Sequence, residues 1–435
     1  MRINIESQIK KDIGIILIFS FFAFIFGNWI LSITSPDEGK NLDAALNMLE
    51  KKNFIVPFYN CEYRFEKPPL FYWFTDFFFV LFGVNEFSAR IVSGLSATGL
   101  AILTYLFGLR FFDRQKALIS AIVFMLFIHN WFEARAGVPE MLLTFFMTLG
   151  LYLFFIERFT LGWIALGFAF LAKGPVGVAL PGAIYFLWNI FNKNYKNAFK
   201  IFNFKGILLF FVISLPWYLL LIKEFGYDYF YKFFLYENIY RFTGSKKIHS
   251  YPFWYYFPVL IGATLLFLPI YIKVLRNYTK QLNFFLFWFL FVFLFYSIAK
   301  NKLHHYILFS YPALAILIGY YTSKRYIKIA TAIAGIILVA LFAGAYIYES
   351  KRFIPKAVEI LKKNDNKPVV FYKKELSAIV FYTRKCIKKI DNKEQIPDGT
   401  FVIFRKKNKL ENVEILTYGI EPTGKFYLGI YKKEE

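Results

Sequence analysis

Residues 13–33 read IGIILIFSFFAFIFGNWILSI, a stretch with no charged side chain. A helix of about 20 apolar residues is long enough to cross the hydrocarbon core of a bilayer. Runs of the same character recur as far as residue 348. The 435-residue chain is 58% hydrophobic and 22% aromatic, with 58 Phe, and its mean hydropathy is +0.46. Length alone suggests two or three soluble domains, but this composition overrides it. The chain reads as a polytopic α-helical membrane protein. The first run is too long for a signal-peptide core and no small-x-small cleavage site follows, so it is expected to remain as a first span.

The expected spans are 13–33, 86–109, 117–133, 139–156, 160–172, 175–191, 206–222, 254–272, 281–299, 304–323 and 329–348, about eleven in all. Short connections at 110–116, 192–205, 273–280 and 324–328 carry 13 Lys and Arg, and the N-terminus carries three more. By the positive-inside rule that side is cytoplasmic. An odd number of spans then puts the C-terminus outside, together with the long loops 34–85 and 223–253. The formal charge of +23 therefore reports topology and attraction to anionic lipid headgroups, and nucleic acid is excluded as a partner.

Residues 349–435 differ in kind. Lysine is dense and no apolar run is long enough to span. PVVFYKK, GTFVIFRKK and KFYLGIYKK predict short strands, and ELSAIVFYTR a short helix. The expected organisation is a membrane domain over 1–348 and a small C-terminal extracytoplasmic α/β domain over 349–435. Cys61 and Cys386 form no CxxC or metal-knuckle pattern and are expected to be unpaired, a bridge being the alternative if both lie on the oxidising side.

Charges at a membrane edge are costly, so their positions are informative. Asp37 and Glu38 follow the first span in TSPDEGKNLDAALNML. Pro36 ends that span and Gly39 permits a turn. Leu42, Ala45, Leu46 and Leu49 then recur at helical spacing, which predicts an amphipathic interfacial helix capped by the acidic pair. In FEKPPLFYW, residues 65–73, two prolines hold Glu66 and Lys67 on extended backbone. They read either as a headgroup-level ion pair or as a fixed cation and carboxylate suited to a phosphate. Glu140 opens the fourth span, where the helix dipole favours a carboxylate. Lys173 reads as a snorkelling side chain at a helix break. Arg241 is a second candidate phosphate ligand. His249 and its aromatic neighbours read as an interfacial belt. Lys302, His304, His305 and Tyr306 open the tenth span; the two adjacent histidines share no helix face, so a two-His metal site is not expected there.

PDEGK, FEKPPLFYW, FGVNEFSARI, LAKGP, ENIYRF with PFWYYFP, and KLHHYIL with YPALA occur in this order over about 320 residues. This ordered set resembles the GT-C class of polytopic glycosyltransferases, closest to its ArnT-like and protein-mannosyltransferase-like members. The chain departs from that pattern in carrying Glu140 where many relatives have Asp, Phe-Ser in place of Leu-Pro in the tenth span, and a shorter terminal domain. The resemblance implies a GT-C fold, a polyprenyl-phosphate sugar donor and an active site at the outer face of the inner membrane. The acceptor is a lipid A-type glycolipid, another glycan or a protein. The roles that follow are Asp37 as base or orienting carboxylate, Glu140 shaping the acceptor pocket, and Lys67, Arg241 and Tyr306 on the donor phosphate. Glu66, Glu38 and His305 support the site or hold a divalent cation; no cofactor is required. A secondary transporter or flippase is the competing reading, which would call for midplane charges and paired repeats.

Overall fold

The computed structural model describes residues 2–34, 36–240, 250–408 and 410–433. In chain order the first helices are α1 (Arg2–Ser20), α2 (Pro36–Glu50), α3 (Leu70–Phe82), α4 (Glu86–Phe111), α5 (Arg114–Met125) and α6 (Ile128–Glu133). There follow α7 (Glu140–Phe155), α8 (Phe159–Lys173), α9 (Val176–Phe191), α10 (Tyr195–Lys200) and α11 (Phe204–Phe230). Then come α12 (Tyr256–Ala263), α13 (Leu268–Arg276), α14 (Asn283–Ile298), α15 (Tyr311–Tyr321), α16 (Lys324–Lys351), α17 (Phe353–Lys363) and α18 (Ser377–Thr383). The chain divides into two compact units.

The first unit comprises Met1–Phe26, Phe65–Phe71 and Arg90–Leu338. Small residues let its helices approach closely, as is usual where apolar helices pack in a membrane. A Cβ at Gly150 of α7 would lie 2.5 Å from Leu166 of α8, and one at Gly162 of α8 would lie 2.5 Å from Phe154 of α7. Near the chain start, the fully buried carboxylate of Asp12 accepts hydrogen bonds from Arg114 Nε at 2.6 Å, Arg114 Nη2 at 2.7 Å and the Tyr105 hydroxyl at 2.6 Å. A buried charge needs such full pairing.

Among the described residues, four helical stretches are long and apolar enough to cross a membrane: Glu86–Phe111, Phe204–Glu237, Lys280–Ile298 and Lys324–Lys351. A fifth is added if Phe253–Ala263 and Leu265–Arg276, bent by 76°, count as one. Several of the expected spans are therefore broken or short. Residues 254–272 bend where Pro269 enters the first turn of α13 and has no N–H to continue the helix ladder. Residues 117–133 split into α5 and α6, and residues 304–323 open with a 3₁₀ segment, His304–Ser310, before α15. The α5–α6 break is stabilised locally. Asn130 Nδ2 donates to the Phe124 carbonyl at 2.9 Å and Trp131 Nε1 to the Met125 carbonyl at 2.7 Å, so side chains of α6 bond the last carbonyls of α5.

The second unit comprises Gly27–Arg64, Tyr72–Ala89 and Val339–Glu435. Its sheet has the order β4–β3–β5–β7–β6, formed by β3 (Val369–Tyr372), β4 (Lys388–Ile390), β5 (Phe401–Arg405), β6 (Val413–Glu421) and β7 (Gly424–Tyr431). β4, β3 and β5 are parallel, whereas β5–β7 and β7–β6 are antiparallel. The strands expected from PVVFYKK, GTFVIFRKK and KFYLGIYKK are β3, β5 and β7, and ELSAIVFYTR forms α18. β4, Lys-Lys-Ile, is only three residues long, and β6, VEILTYGIE, shows no regular apolar–polar alternation, so neither is legible in the sequence. One face of the sheet buries Val370, Tyr372, Ile390, Val402 and Phe404. α17 packs near β6, where a Cβ at Gly419 would lie 2.5 Å from the Phe353 nitrogen.

In the same unit, α2 does not present its apolar face to a lipid interface. Leu42, Ala45 and Leu46 are buried within the protein, and Leu49 is half-buried. Gly39 makes no turn; it lies inside α2, where a Cβ would meet the Ser377 hydroxyl of α18 at 2.6 Å. The expectation of unpaired cysteines is also corrected. Cys61 and Cys386 form a disulfide with a Cα–Cα distance of 5.7 Å. Cys61 sits in a two-residue hairpin between β1 (Phe58–Tyr59) and β2 (Glu62–Tyr63). Asn60 and Cys61 both have positive φ, 51° and 65°, as a type I′ turn requires. The Asn60 side chain donates to the Ile387 carbonyl at 3.0 Å and accepts from the Ile387 N–H at 2.7 Å, beside the bridge. The partners are 325 residues apart, so only the tertiary fold could reveal the pairing.

Candidate active site

The first unit gathers basic side chains around one buried carboxylate, Glu140. α7 begins at Glu140, directly after Pro139, whose fixed φ suits a helix start. The preceding turn is tied down by the Ser93 hydroxyl, which donates to the Ala136 carbonyl at 2.6 Å. Glu140 is 3% exposed. Its Oε1 lies 2.9 Å from Lys173 Nζ, 3.5 Å from His305 Nε2 and 3.8 Å from Lys67 Nζ. Its Oε2 has no hydrogen-bond partner among the described residues.

Each basic side chain reaches this point from a different element. Lys67 lies on a bend between β2 and α3, with Pro68 and Pro69 delaying the helix until Leu70. Phe65 anchors that bend against Phe225 and Tyr229, with ring centroids 4.9 and 5.4 Å away. Lys173 is the last residue of α8, and the helix stops because Gly174 takes φ +83° ahead of Pro175. Its ammonium also lies 4.8 Å from the centre of the Tyr306 ring, a cation–π contact. His305 and Tyr306 come from the 3₁₀ segment. The chain before it is fixed by Lys302, which donates to the Tyr251 carbonyl at 3.0 Å, and by the Tyr256 hydroxyl, which donates to the Leu303 carbonyl at 3.2 Å. Two lysines thus share one carboxylate in a largely dehydrated place, an arrangement suited to an anion carrying several acceptor oxygens.

The structure therefore brings together Lys67, Glu140, His305 and Tyr306 from the sequence-derived set. It adds Lys173, whose place at a helix break predicts only a snorkelling side chain. Glu66 is half-buried beside Lys67. Asp37 and Glu38 lie in the first turn of α2 in the second unit. There Glu38 is buried and its Oε2 accepts from the Thr34 N–H at 2.9 Å, whereas Asp37 is exposed. Arg241 and His249 lie outside the described residues. A second group went unread in the sequence: His129 and Glu133, four residues apart on α6, meet His304. Two polar residues at i, i+4 within an apolar run were the available signal.

Comparison with known proteins bears on this geometry. Residues 40–225 match the family described as dolichyl-phosphate-mannose-protein mannosyltransferase. A protein of Aquifex aeolicus called uncharacterised is 53% identical over 418 residues, covering 96% of this chain and 98% of that one. The undecaprenyl phosphate-alpha-4-amino-4-deoxy-L-arabinose arabinosyl transferase 1 of Pseudomonas fluorescens is 34% identical over 311 residues, covering 67% of this chain and 55% of that one. The crystal structure of ArnT from Cupriavidus metallidurans bound to undecaprenyl phosphate aligns with a TM-score of 0.75 at 17% identity, over 97% of this chain and 98% of that chain. The chain belongs to the ArnT-like family of GT-C membrane glycosyltransferases. Its fold is the GT-C polytopic membrane fold with a small C-terminal sheet domain. This ArnT-like chain spans 55% of the Pseudomonas transferase and 60% of the Proteus mirabilis arabinosyl transferase 2, to which it is 30% identical over 331 residues, 72% of this chain. Lys67, Glu140 and Lys173 fall inside the segment matched by the mannosyltransferase family; Asp37, His305 and Tyr306 fall outside it.

Proposed function

We propose that this chain transfers a sugar from a polyprenyl-phosphate donor to an extracytoplasmic acceptor, a lipid A-type glycolipid, another glycan or a protein. The observation that carries the reading is the convergence of Lys67 and Lys173 on Glu140. A phosphate at headgroup depth needs fixed cations in a place of low dielectric, where each is worth far more than in water. Glu140 holds those cations in position before the donor arrives. The exposure of Asp37 within α2, against the burial of Glu38, supports Asp37 as the carboxylate for the acceptor.

In the reaction, an acceptor oxygen attacks the anomeric carbon while the bond from that carbon to the phosphate oxygen breaks. Asp37 orients a hydroxyl acceptor and takes its proton. Polyprenyl phosphate leaves with an added negative charge, which Lys67, Lys173 and Arg241 stabilise, with Tyr306 packed against Lys173. The prenyl chain of the donor needs apolar surroundings, which the Phe-rich helices supply.

The membrane arrangement belongs to the same proposal. Residues 1–348 form the membrane domain, residues 349–435 the outer domain, with the N-terminus cytoplasmic and the C-terminus on the outer side of the inner membrane. The Cys61–Cys386 disulfide supports one oxidising compartment for loop 34–85 and the terminal domain.

The test is turnover in lipid nanodiscs with a panel of polyprenyl-phosphate sugars and crude envelope as acceptor, read as release of free polyprenyl phosphate. Wild type is expected to release it. Asp37→Asn is expected to lose about 100- to 1,000-fold in rate, the usual effect of deleting one preorganised catalytic contact. Normal turnover by a folded Asp37→Asn variant would remove Asp37 from its role.

A further inference from the structure

The chemistry above makes no use of His129, Glu133 and His304. Three ligand-type atoms from these residues converge on one point. His129 Nε2 lies 3.3 Å from Glu133 Oε1, His304 Nδ1 lies 3.1 Å from the same oxygen, and the two ring nitrogens are 2.9 Å apart. Four ligands held tetrahedrally at about 2.0–2.1 Å from a zinc ion stand roughly 3.3 Å from one another, so this triangle is close to one face of such a site.

The surroundings fit a metal site in three further respects. His129 and Glu133 occupy positions i and i+4 of α6, so both project from one helix face. α6 itself is locked by the Asn130 and Trp131 bonds described above. The other nitrogen of His129, Nδ1, lies 2.7 Å from the hydroxyl of the fully buried Tyr311. An Nδ1–H donated there leaves the Nε2 lone pair free for a metal, the usual outer-shell arrangement of a ligating histidine. Finally, the carboxylate is nearly buried while the His304 side chain is 55% exposed, which gives water a route to a fourth position.

The adjacent histidines of the 3₁₀ segment thus diverge. His304 turns to Glu133, and His305 turns to Glu140. That divergence is why adjacency in the sequence argued against a two-His site: the second histidine comes from α6.

We propose that His129 Nε2, His304 Nδ1 and Glu133 Oε1 bind one Zn²⁺ per chain, with water completing the tetrahedron. Two imidazoles and a carboxylate form a borderline ligand set that favours late first-row divalent ions over Mg²⁺ or Ca²⁺. The ion pins α6 to the segment that carries His305 and Tyr306, and so acts as a positioning element.

The experiment uses untagged full-length protein in nanodiscs, stripped with chelator and reloaded with Zn²⁺ or Co²⁺. Metal content is measured by mass spectrometry and Co²⁺ geometry by visible absorption. Wild type is expected to retain one equivalent of Zn²⁺ and to give the strong absorption of tetrahedral Co²⁺. Glu133→Gln, nearly isosteric, and His304→Asn, at an exposed position, are expected to lose both signals, while His305→Gln keeps them. Tyr311→Phe is expected to weaken binding roughly 10-fold. Folded wild type that takes up no Zn²⁺ or Co²⁺, or binds Mg²⁺ or Ca²⁺ instead, would overturn the proposal. So would uptake unchanged in both Glu133→Gln and His304→Asn.

Discussion

Arg352 shows how much can rest on a single side chain. It is fully buried, yet it carries a permanent charge. Nη1 donates to the Ser32 carbonyl at 2.7 Å, Nη2 donates to the Ile33 carbonyl at 2.8 Å and to Glu421 Oε2 at 2.6 Å. Glu421 Oε1 in turn accepts from the Ile354 N–H at 2.9 Å. Burial is the largest influence on the Glu421 carboxyl and raises its pKa, while Arg352 opposes that rise. Arg352→Met leaves the acid buried without its cation and is expected to cost about 3–5 kcal/mol. The sign of the pH effect follows. Without the arginine the folded-state pKa of Glu421 rises further, so the folded state binds the proton more tightly than the unfolded one. The penalty is then largest at neutral pH and relieved in acid, and the gap in melting temperature between wild type and variant should narrow from about pH 7.5 to about pH 5.5. A constant or widening gap would contradict it. Single residues were legible in the sequence where a charge interrupted an apolar run, as at Lys67 and Glu140. Their partners were not. Lys173 is brought to Glu140 by helix packing across 33 residues of sequence, and no local pattern announces that.

At the scale of elements, sequence period and composition located most helices but not their breaks. Residues 160–172, the shortest expected span, form the regular helix α8. Residues 117–133, apolar throughout their first part, are interrupted because side chains of Asn130 and Trp131 can take over helix carbonyls. Hydropathy counts apolar residues and is blind to that exchange. The β1–β2 hairpin was missed for a related reason, since its turn residues are Asn-Cys rather than Asn-Gly. A non-glycine residue at positive φ is held there by its tertiary partner, here Cys386. Replacing both cysteines with serine is expected to cost about 2–5 kcal/mol. In thermal melts, reductant should lower wild type to the level of the Cys61→Ser/Cys386→Ser variant and leave that variant unchanged. A wild type indifferent to reductant would show that the bridge contributes little.

For the whole molecule, composition established a polytopic helical membrane protein, and the ordered motifs placed it in the GT-C class to which it belongs. Which charges would meet was beyond reach, because helix packing sets it and spacing along the chain does not record it. We propose that Lys67 and Lys173 around Glu140 form the seat of a polyprenyl phosphate. The most direct measurement is the affinity of undecaprenyl phosphate for the purified protein in nanodiscs, followed by ³¹P resonance, for wild type, Lys67→Ala and Lys173→Ala. Wild type should shift the phosphorus signal saturably, and each variant should weaken binding by about 10- to 100-fold, as expected for loss of one charge-assisted contact of about 1.5–3 kcal/mol. Equal affinity in all three folded proteins would contradict the assignment and move the phosphate elsewhere.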